Sequence, residues 1–349
     1  MHLPGADDRL ATLRFLTERS ATTEDLQAGL ARGDLPMVLA ELGTHRDGCT
    51  LAEAADATGV PTELMRELLR AAGLGEPDPD DARFVDADLE TFRLAQAAVE
   101  LFGLDSTLQT TRVIGASLAS VADAAITNFG QEVNAQPAGP GQELARAQAA
   151  DQANGLLFDA LPTILGALFA HHAVAATRRA ATSGSAATSD LTVAFLDLVG
   201  STALSARLSA AALGRAISGF ERDAAELVAT CDGRLVKTIG DEVMFVATDT
   251  VGACEVALTL ARRVADDPVL SGLRGALAAG PLVRGYGDFY GPVVTAAARA
   301  VKLAEPGTVL ATDEVRRRAA TRALTFDPVG EQPLRGFETP VALYRVGRS

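Results

Sequence analysis

Lysine is almost missing from this chain of 349 residues. Only Lys237 and Lys302 occur, so arginine supplies nearly all of the 31 basic side chains. Cysteine is scarce as well. Cys49, Cys231 and Cys254 lie at wide, irregular spacing, which excludes both a disulfide framework and a zinc-binding pattern. Histidine stops at His172, so residues 179–349 hold no imidazole to serve as a general base. The first residues, MHLPGADD, show no basic segment followed by an apolar one, and a cytoplasmic protein without a secretory signal is expected. Long uninterrupted apolar runs are also lacking. The most apolar stretch, GLLFDALPTILGALFAHHAVAA (155–176), is broken by Asp159, Pro162 and the pair His171–His172. No transmembrane segment is expected there; a buried amphipathic helix or a dimer interface is.

Charge of one sign is concentrated in one half. Residues 1–178 carry 12 arginines and no lysine against 26 Asp and Glu, whereas residues 179–349 carry 19 basic and 19 acidic groups. The whole net charge of −14 therefore sits in the first half, and two halves with separate tasks follow. The stretch TRRAATSGSAATSD (177–190) is small and polar and is expected to link them. The expected domains are residues 1–176 and 191–349.

The first half has the periodicity of an all-α domain, a bundle containing a helix-turn-helix. In TLAEAADATGVPTELMRELLRAAGL (50–74), apolar residues recur at helical spacing on both sides of Gly59-Val60-Pro61, with Thr62 expected as the cap of the second helix. Nucleic acid is an unlikely partner. Arg66 and Arg70 share their helix with Glu63 and Glu67 in an acidic domain, and phosphate contacts need several cations. A further helix is expected after the acidic loop EPDPDD (76–81), capped at Asp86 or Asp88.

The second half alternates strands and helices with several adjacent strand pairs, the pattern of an α/β sandwich of ferredoxin-like kind. An apolar strand, LTVAFLDL, ends at Asp197 and is followed by Gly200-Ser201-Thr202, which opens a helix. The strands RLVKTIG and DEVMFVAT meet at Gly240-Asp241, a hairpin signal. Each aspartate alone is ordinarily a cap or turn residue. Together, at two strand ends, they form an oxygen donor set suited to Mg²⁺, beside a helix start whose N–H groups suit a polyphosphate.

Three segments, FLDLVGST (195–202), KTIGDEVMF (237–245) and GDFYGPVVTAAAR (287–299), together resemble the signature segments of class III nucleotidyl cyclases, in the same order and at similar separations. The resemblance covers about residues 191–346. The layout, with an acidic helical half in front, is similar to actinobacterial adenylate cyclases that carry an N-terminal regulatory domain. The resemblance implies ATP as substrate, 3′,5′-cyclic AMP and pyrophosphate as products, and two Mg²⁺ or Mn²⁺ ions per site. It assigns Asp197 and Asp241 to the metals, Lys237 and Asp288 to the adenine, and Arg299 to the transition state. Gly200, Ser201 and Thr202 would contact phosphate, and Arg335 in PLRGFE matches a basic C-terminal segment. It further implies a homodimer in which each site draws on both protomers, under control of the N-terminal domain. Protons acting through His171 and His172, or a fatty acid or other apolar ligand beneath the 156–169 helix, are the candidate signals.

One departure stands out. The family's ribose-positioning asparagine is Thr295 here, a shorter side chain with a single hydroxyl. It favours the alternative expectation, a weak or inactive cyclase-like nucleotide sensor with a helix-turn-helix interaction module.

Overall fold

The computed structural model describes residues 6–39, 48–135, 141–182 and 188–349. The chain falls into two compact units, Met1–Ala175 and Ala176–Ser349.

In the second unit the apolar strand that ends at Asp197 is β1 (Thr188–Leu198), and every residue from 191 to 198 is buried. A strand buried on both faces belongs inside a covered sheet. β1 pairs antiparallel with β3 (Glu242–Ala247) on one side and β4 (Leu273–Gly285) on the other. β2 (Arg234–Ile239) pairs antiparallel with β3. The order β2-β3-β1-β4 is the ferredoxin-like arrangement. The sheet continues through β6 (Val309–Thr312), which is parallel to β4, then β8 (Val341–Arg348) and β7 (Leu324–Gln332). A three-residue strand, β5 (Asp288–Tyr290), pairs with the end of β4.

Alternation along β1 divides the core in two. Ala194 and Leu196 pack with Phe245, Phe220 and Leu260 against two helices, Ala210–Thr230 and Thr250–Asp266. Val193 and Phe195 face the opposite way and meet Met244, Ala276 and the alanines of a nine-residue helix, Pro292–Ala300. Ala296, Ala297 and Ala300 are small enough to bring that helix close to the sheet, and Arg299 rides on it.

The first unit is helical among the described residues. The helix-turn-helix segment is Leu51–Thr58 followed by Thr62–Ala71, with Gly59 in the left-handed conformation between them. Thr50 and Glu53 form a reciprocal capping box at the first helix. Thr62, expected as a cap, is instead the first helical residue behind Pro61, whose fixed φ prepares the turn. Arg70 is tied to Glu63 and Glu76, and Arg66 lies at 4.0 Å from Glu63, so neither arginine is free for phosphate. The helix after the acidic loop is Asp86–Phe102; it is preceded by Val85, whose N–H donates to Asp88 at 3.0 Å.

The run 155–176 is helical, as expected: a π-helical turn, Gly155–Ala160, leads directly into a helix, Leu161–Thr182. It is not a helix buried within its own unit, one of the two expectations; the other, a dimer interface, concerns a second copy of the chain. Leu156, Ile164, Leu168 and Phe169 are all exposed, because no other described element of this unit covers them. By length and composition alone, Leu104–Gln131 and Glu143–Arg178 are helices long and apolar enough to cross a membrane. The segment expected as a linker (177–190) is helix as far as Thr182 and strand from Thr188; residues 183–187 lie outside the described residues.

Gly115, on the helix Leu104–Ala135, approaches the backbone of Ala72 so closely that an added Cβ would lie 2.2 Å from its carbonyl oxygen. Gly130 on the same helix has open space around it. Gly115→Ala should therefore lower stability by about 1–3 kcal/mol through overpacking. Gly130→Ala should be neutral or stabilising by up to about 1 kcal/mol. Calorimetric melting of the two variants checks the contrast, and equal melting temperatures would refute the close crossing.

Candidate active site

Asp197 carries a charge at a buried position: it is 5% exposed. Its register partner on β4 is Arg274, whose Nε and Nη2 both donate to one carboxylate oxygen, at 2.9 and 2.6 Å. On the other side its partner on β3 is Glu242. Lys302, in the short 3₁₀ turn Val301–Leu303 that follows the Pro292–Ala300 helix, bridges the two acids. Its Nζ lies 3.2 Å from Asp197 and 2.8 Å from Glu242. Partial burial works against the charged form of Lys302, but the hydrogen bonds to Glu242 and Asp197 outweigh it, and the pKa is raised.

Asp241 sits in the β2–β3 turn behind Gly240, which adopts a positive φ of 65°. The N–H of Leu198 donates to the Asp241 carbonyl at 3.1 Å, so the two aspartate-bearing segments are hydrogen-bonded neighbours. Among the described residues, no ion pair or hydrogen bond engages the Asp241 carboxylate. Gly200, at φ 78°, turns the chain out of β1 into the short helix Ser201–Arg207. Asp197, Asp241 and the 200–202 turn thus share one end of the sheet.

Lys237 forms an ion pair with Asp288, whose second oxygen accepts from the Phe289 N–H at 2.8 Å. A register shift between Leu235 and Lys237 sets Lys237 opposite Met244, on the face that carries Phe195 and Asp197. Arg234 lies over the Phe289 ring at 4.9 Å and helps to hold β5 near β2. Thr295 donates its hydroxyl to the Gly291 carbonyl at 3.1 Å, within its own helix. Arg299, one turn later, is exposed and makes no ion pair among the described residues. Arg335 is likewise exposed and unpaired, in the loop between β7 and β8, and no contact brings it to the carboxylates.

Sequence reasoning missed Arg274, Glu242 and Lys302 as companions of Asp197. Glu242 stands inside a quoted segment, and Lys302 is the second of only two lysines, a signal that was available. The buried thiol of Cys254 is pushed up to about 12, chiefly by burial, and is no nucleophile.

The donors at this end of the sheet are carboxylate oxygens, and those of Asp241 have no partner among the described residues. That chemistry fits a hard divalent ion such as Mg²⁺ or Mn²⁺, with Asp197 and Asp241 as the residues that would hold it.

Residues 5–173 match the family model described as the adenylate cyclase regulatory domain. A pH-sensitive adenylate cyclase of Mycobacterium tuberculosis is 31% identical over 98% of this chain and 88% of its own length. An adenylate cyclase of Glutamicibacter nicotianae is 33% identical, over 82% of this chain and 75% of its own. The chain belongs to the class III adenylate cyclases. Among solved structures, the adenylyl cyclase CyaB of P. aeruginosa aligns with 46% of this chain and 95% of its own, at a TM-score of 0.43 and 23% identity. In this cyclase the helical unit carries the regulatory-domain match, and the sheet unit holds the ionic site.

Breaking a buried ion pair from one side leaves the other charge uncompensated. Asp197→Asn should therefore destabilise the cyclase by about 2 kcal/mol, below the roughly 3–5 kcal/mol of a fully buried pair because Arg274 keeps some solvent access. Urea unfolding of the full chain measures it; a change below about 0.5 kcal/mol would mean that the pair contributes nothing net.

Proposed function

We propose that this cyclase converts ATP to 3′,5′-cyclic AMP and pyrophosphate at sites shared between two copies of the chain. The observation that carries the reading is the joint placement on one sheet face of Asp197, beside the Asp241 turn, and the Lys237–Asp288 pair.

Each side chain has a chemical task. Lys237 donates to adenine N1 and Asp288 accepts from the exocyclic amine once their mutual ion pair opens. The 200–202 turn presents backbone N–H groups to phosphate. Arg299, without an ion pair among the described residues, supplies positive charge where it builds on the phosphoryl oxygens. Held by Asp197 and Asp241, two Mg²⁺ or Mn²⁺ ions would make the ribose 3′-hydroxyl more acidic and neutralise phosphate charge. With no histidine in residues 179–349, the 3′-hydroxyl proton leaves to solvent or substrate rather than to an imidazole.

Sharing of sites is supported by the exposure of Arg299, which pairs with no carboxylate among the described residues. Control by the helical unit is supported by the regulatory-domain match. His171 and His172 are exposed on the helix Leu161–Thr182, as are Leu168 and Phe169, where either protons or an apolar ligand would act. A cytoplasmic location belongs to the same reading.

With ATP and Mn²⁺, the wild type should form cyclic AMP, and Asp241→Ala should reduce it by at least about a hundredfold. Arg299→Ala should lower kcat by about a hundredfold. Mixing the Asp241→Ala and Arg299→Ala chains should restore part of the activity, because a mixed dimer keeps one intact site. No recovery on mixing would overturn the shared site. No product from the wild type with either metal would favour the nucleotide-sensor reading.

Thr295 bears on the same question, since its hydroxyl is spent on Gly291. Thr295→Asn should raise kcat/KM severalfold by offering an amide to the ribose, about the effect of one neutral hydrogen bond. Steady-state kinetics with ATP decide it, and an unchanged or lower value would show that the site is built around threonine.

A further inference from the structure

The two cations that neutralise Asp197 differ in how firmly they are held. Arg274 approaches from the adjacent strand with two donors on one oxygen, and its side chain is 29% exposed. Lys302 approaches from a helix end with one ammonium, and its side chain is 54% exposed. A guanidinium is weakly hydrated and planar, which suits a permanent pair; an ammonium is a compact, strongly hydrated point charge that returns to water readily. The charges point the same way. Asp197, Asp241, Glu242, Arg274 and Lys302 together carry one net negative charge. A divalent ion added to all five leaves one net positive charge, and withdrawal of Lys302 restores neutrality.

We propose that Lys302 is the resident counter-cation of the metal site: its ammonium neutralises Asp197 and Glu242 until a divalent ion displaces it. This rests on the proposed assignment of Asp197 and Asp241 as metal-holding residues. Lys302 is then a positioning residue that sets how much free metal the site requires. Its displacement also has a structural consequence. Lys302 follows Arg299 by three residues, in the turn that continues the same helix, so its ion pairs tie down the end of the helix that carries Arg299. Metal entry loosens that tie. The scarcity of lysine acquires a reason here, because a position that must release its partner is poorly served by arginine.

The experiment is Mn²⁺ binding to the full chain without nucleotide, followed by the electron paramagnetic resonance signal of free Mn²⁺. Lys302→Met should tighten the Mn²⁺ Kd by about three- to tenfold, the scale of one partly exposed charge pair. Lys302→Arg, which keeps the charge in a form harder to displace, should bind Mn²⁺ no more tightly than the wild type. The metal-free melting temperature of Lys302→Met should fall, and saturating Mn²⁺ should raise it by more than it raises the wild type. Lys302→Gln provides a second neutral variant if the methionine chain fails to fold. An unchanged or weaker Kd in the neutral variants overturns the proposal, since it would make Lys302 an organiser of the site rather than a competitor. Asp241→Ala separates this from failure of the underlying reading. If Mn²⁺ binding survives that substitution, the assignment of the metal-holding residues fails; if binding is lost but the lysine variants match the wild type, only the counter-cation proposal fails.

Discussion

The sheet unit is organised around a carboxylate that an apolar strand carries into the protein interior. Asp197 ends a run of buried residues, and a buried carboxylate is tolerated only when it is neutralised and hydrogen-bonded. The sheet meets that requirement through register. β4 brings Arg274 directly opposite, and β3 brings Glu242 alongside, so that Lys302 can span the two acids. A slip of one residue on either strand would send these side chains to the other face of the sheet and leave Asp197 unpaired. The helix carrying Thr295 and Arg299 is fixed by the same requirement, since its continuation delivers Lys302. The alanines at 296, 297 and 300 then let it lie close against the sheet.

Both lysines of the chain are engaged with carboxylates on this one face. Lys237 is paired with Asp288, and Lys302 with Asp197 and Glu242. Arginine was used nearly everywhere else, including at Arg274, where a stable fork serves the strand pairing. On the proposed reading the choice of cation follows function: guanidinium where the contact belongs to the fold, ammonium where nucleotide or metal would take over the partner. Both ion pairs neutralise charged groups in the structure, and on the proposed reading both would give way to ligand.

Much of the sheet unit was legible because its signals are local. An apolar strand ending in aspartate and a Gly-Asp turn between two short strands each depend on a few adjacent residues. The companions of Asp197 were not legible for the opposite reason. Arg274 and Lys302 are 77 and 105 residues away, and only strand register and helix packing bring them near. In the helical unit the helix over 155–176 was legible from its apolar spacing, and a π-helical turn at Gly155–Ala160 accommodates Asp159 and leads into the helix that holds Pro162. Of the two expectations for it, burial within its own unit fails, because apolar periodicity indicates a face that favours contact without saying that the same chain supplies it.

That unfulfilled preference links the two units by a common physical deficit. Leu101, Phe102, Leu156 and Phe169 are all more than 60% exposed, and covering a side chain of this size is worth about 1.5–3 kcal/mol. Helices that expose such residues gain stability when another apolar surface covers them, whether that surface is a second copy, a ligand or a lipid layer. Arg299 presents the polar version of the same deficit, an exposed guanidinium with no carboxylate of its own unit to answer it. In a paired chain, apolar contact in the helical unit would supply association energy that the sheet unit's charged face does not. On the proposed reading, a signal that alters how those helices are covered would change how often two sheet units meet, without touching a residue of the site itself.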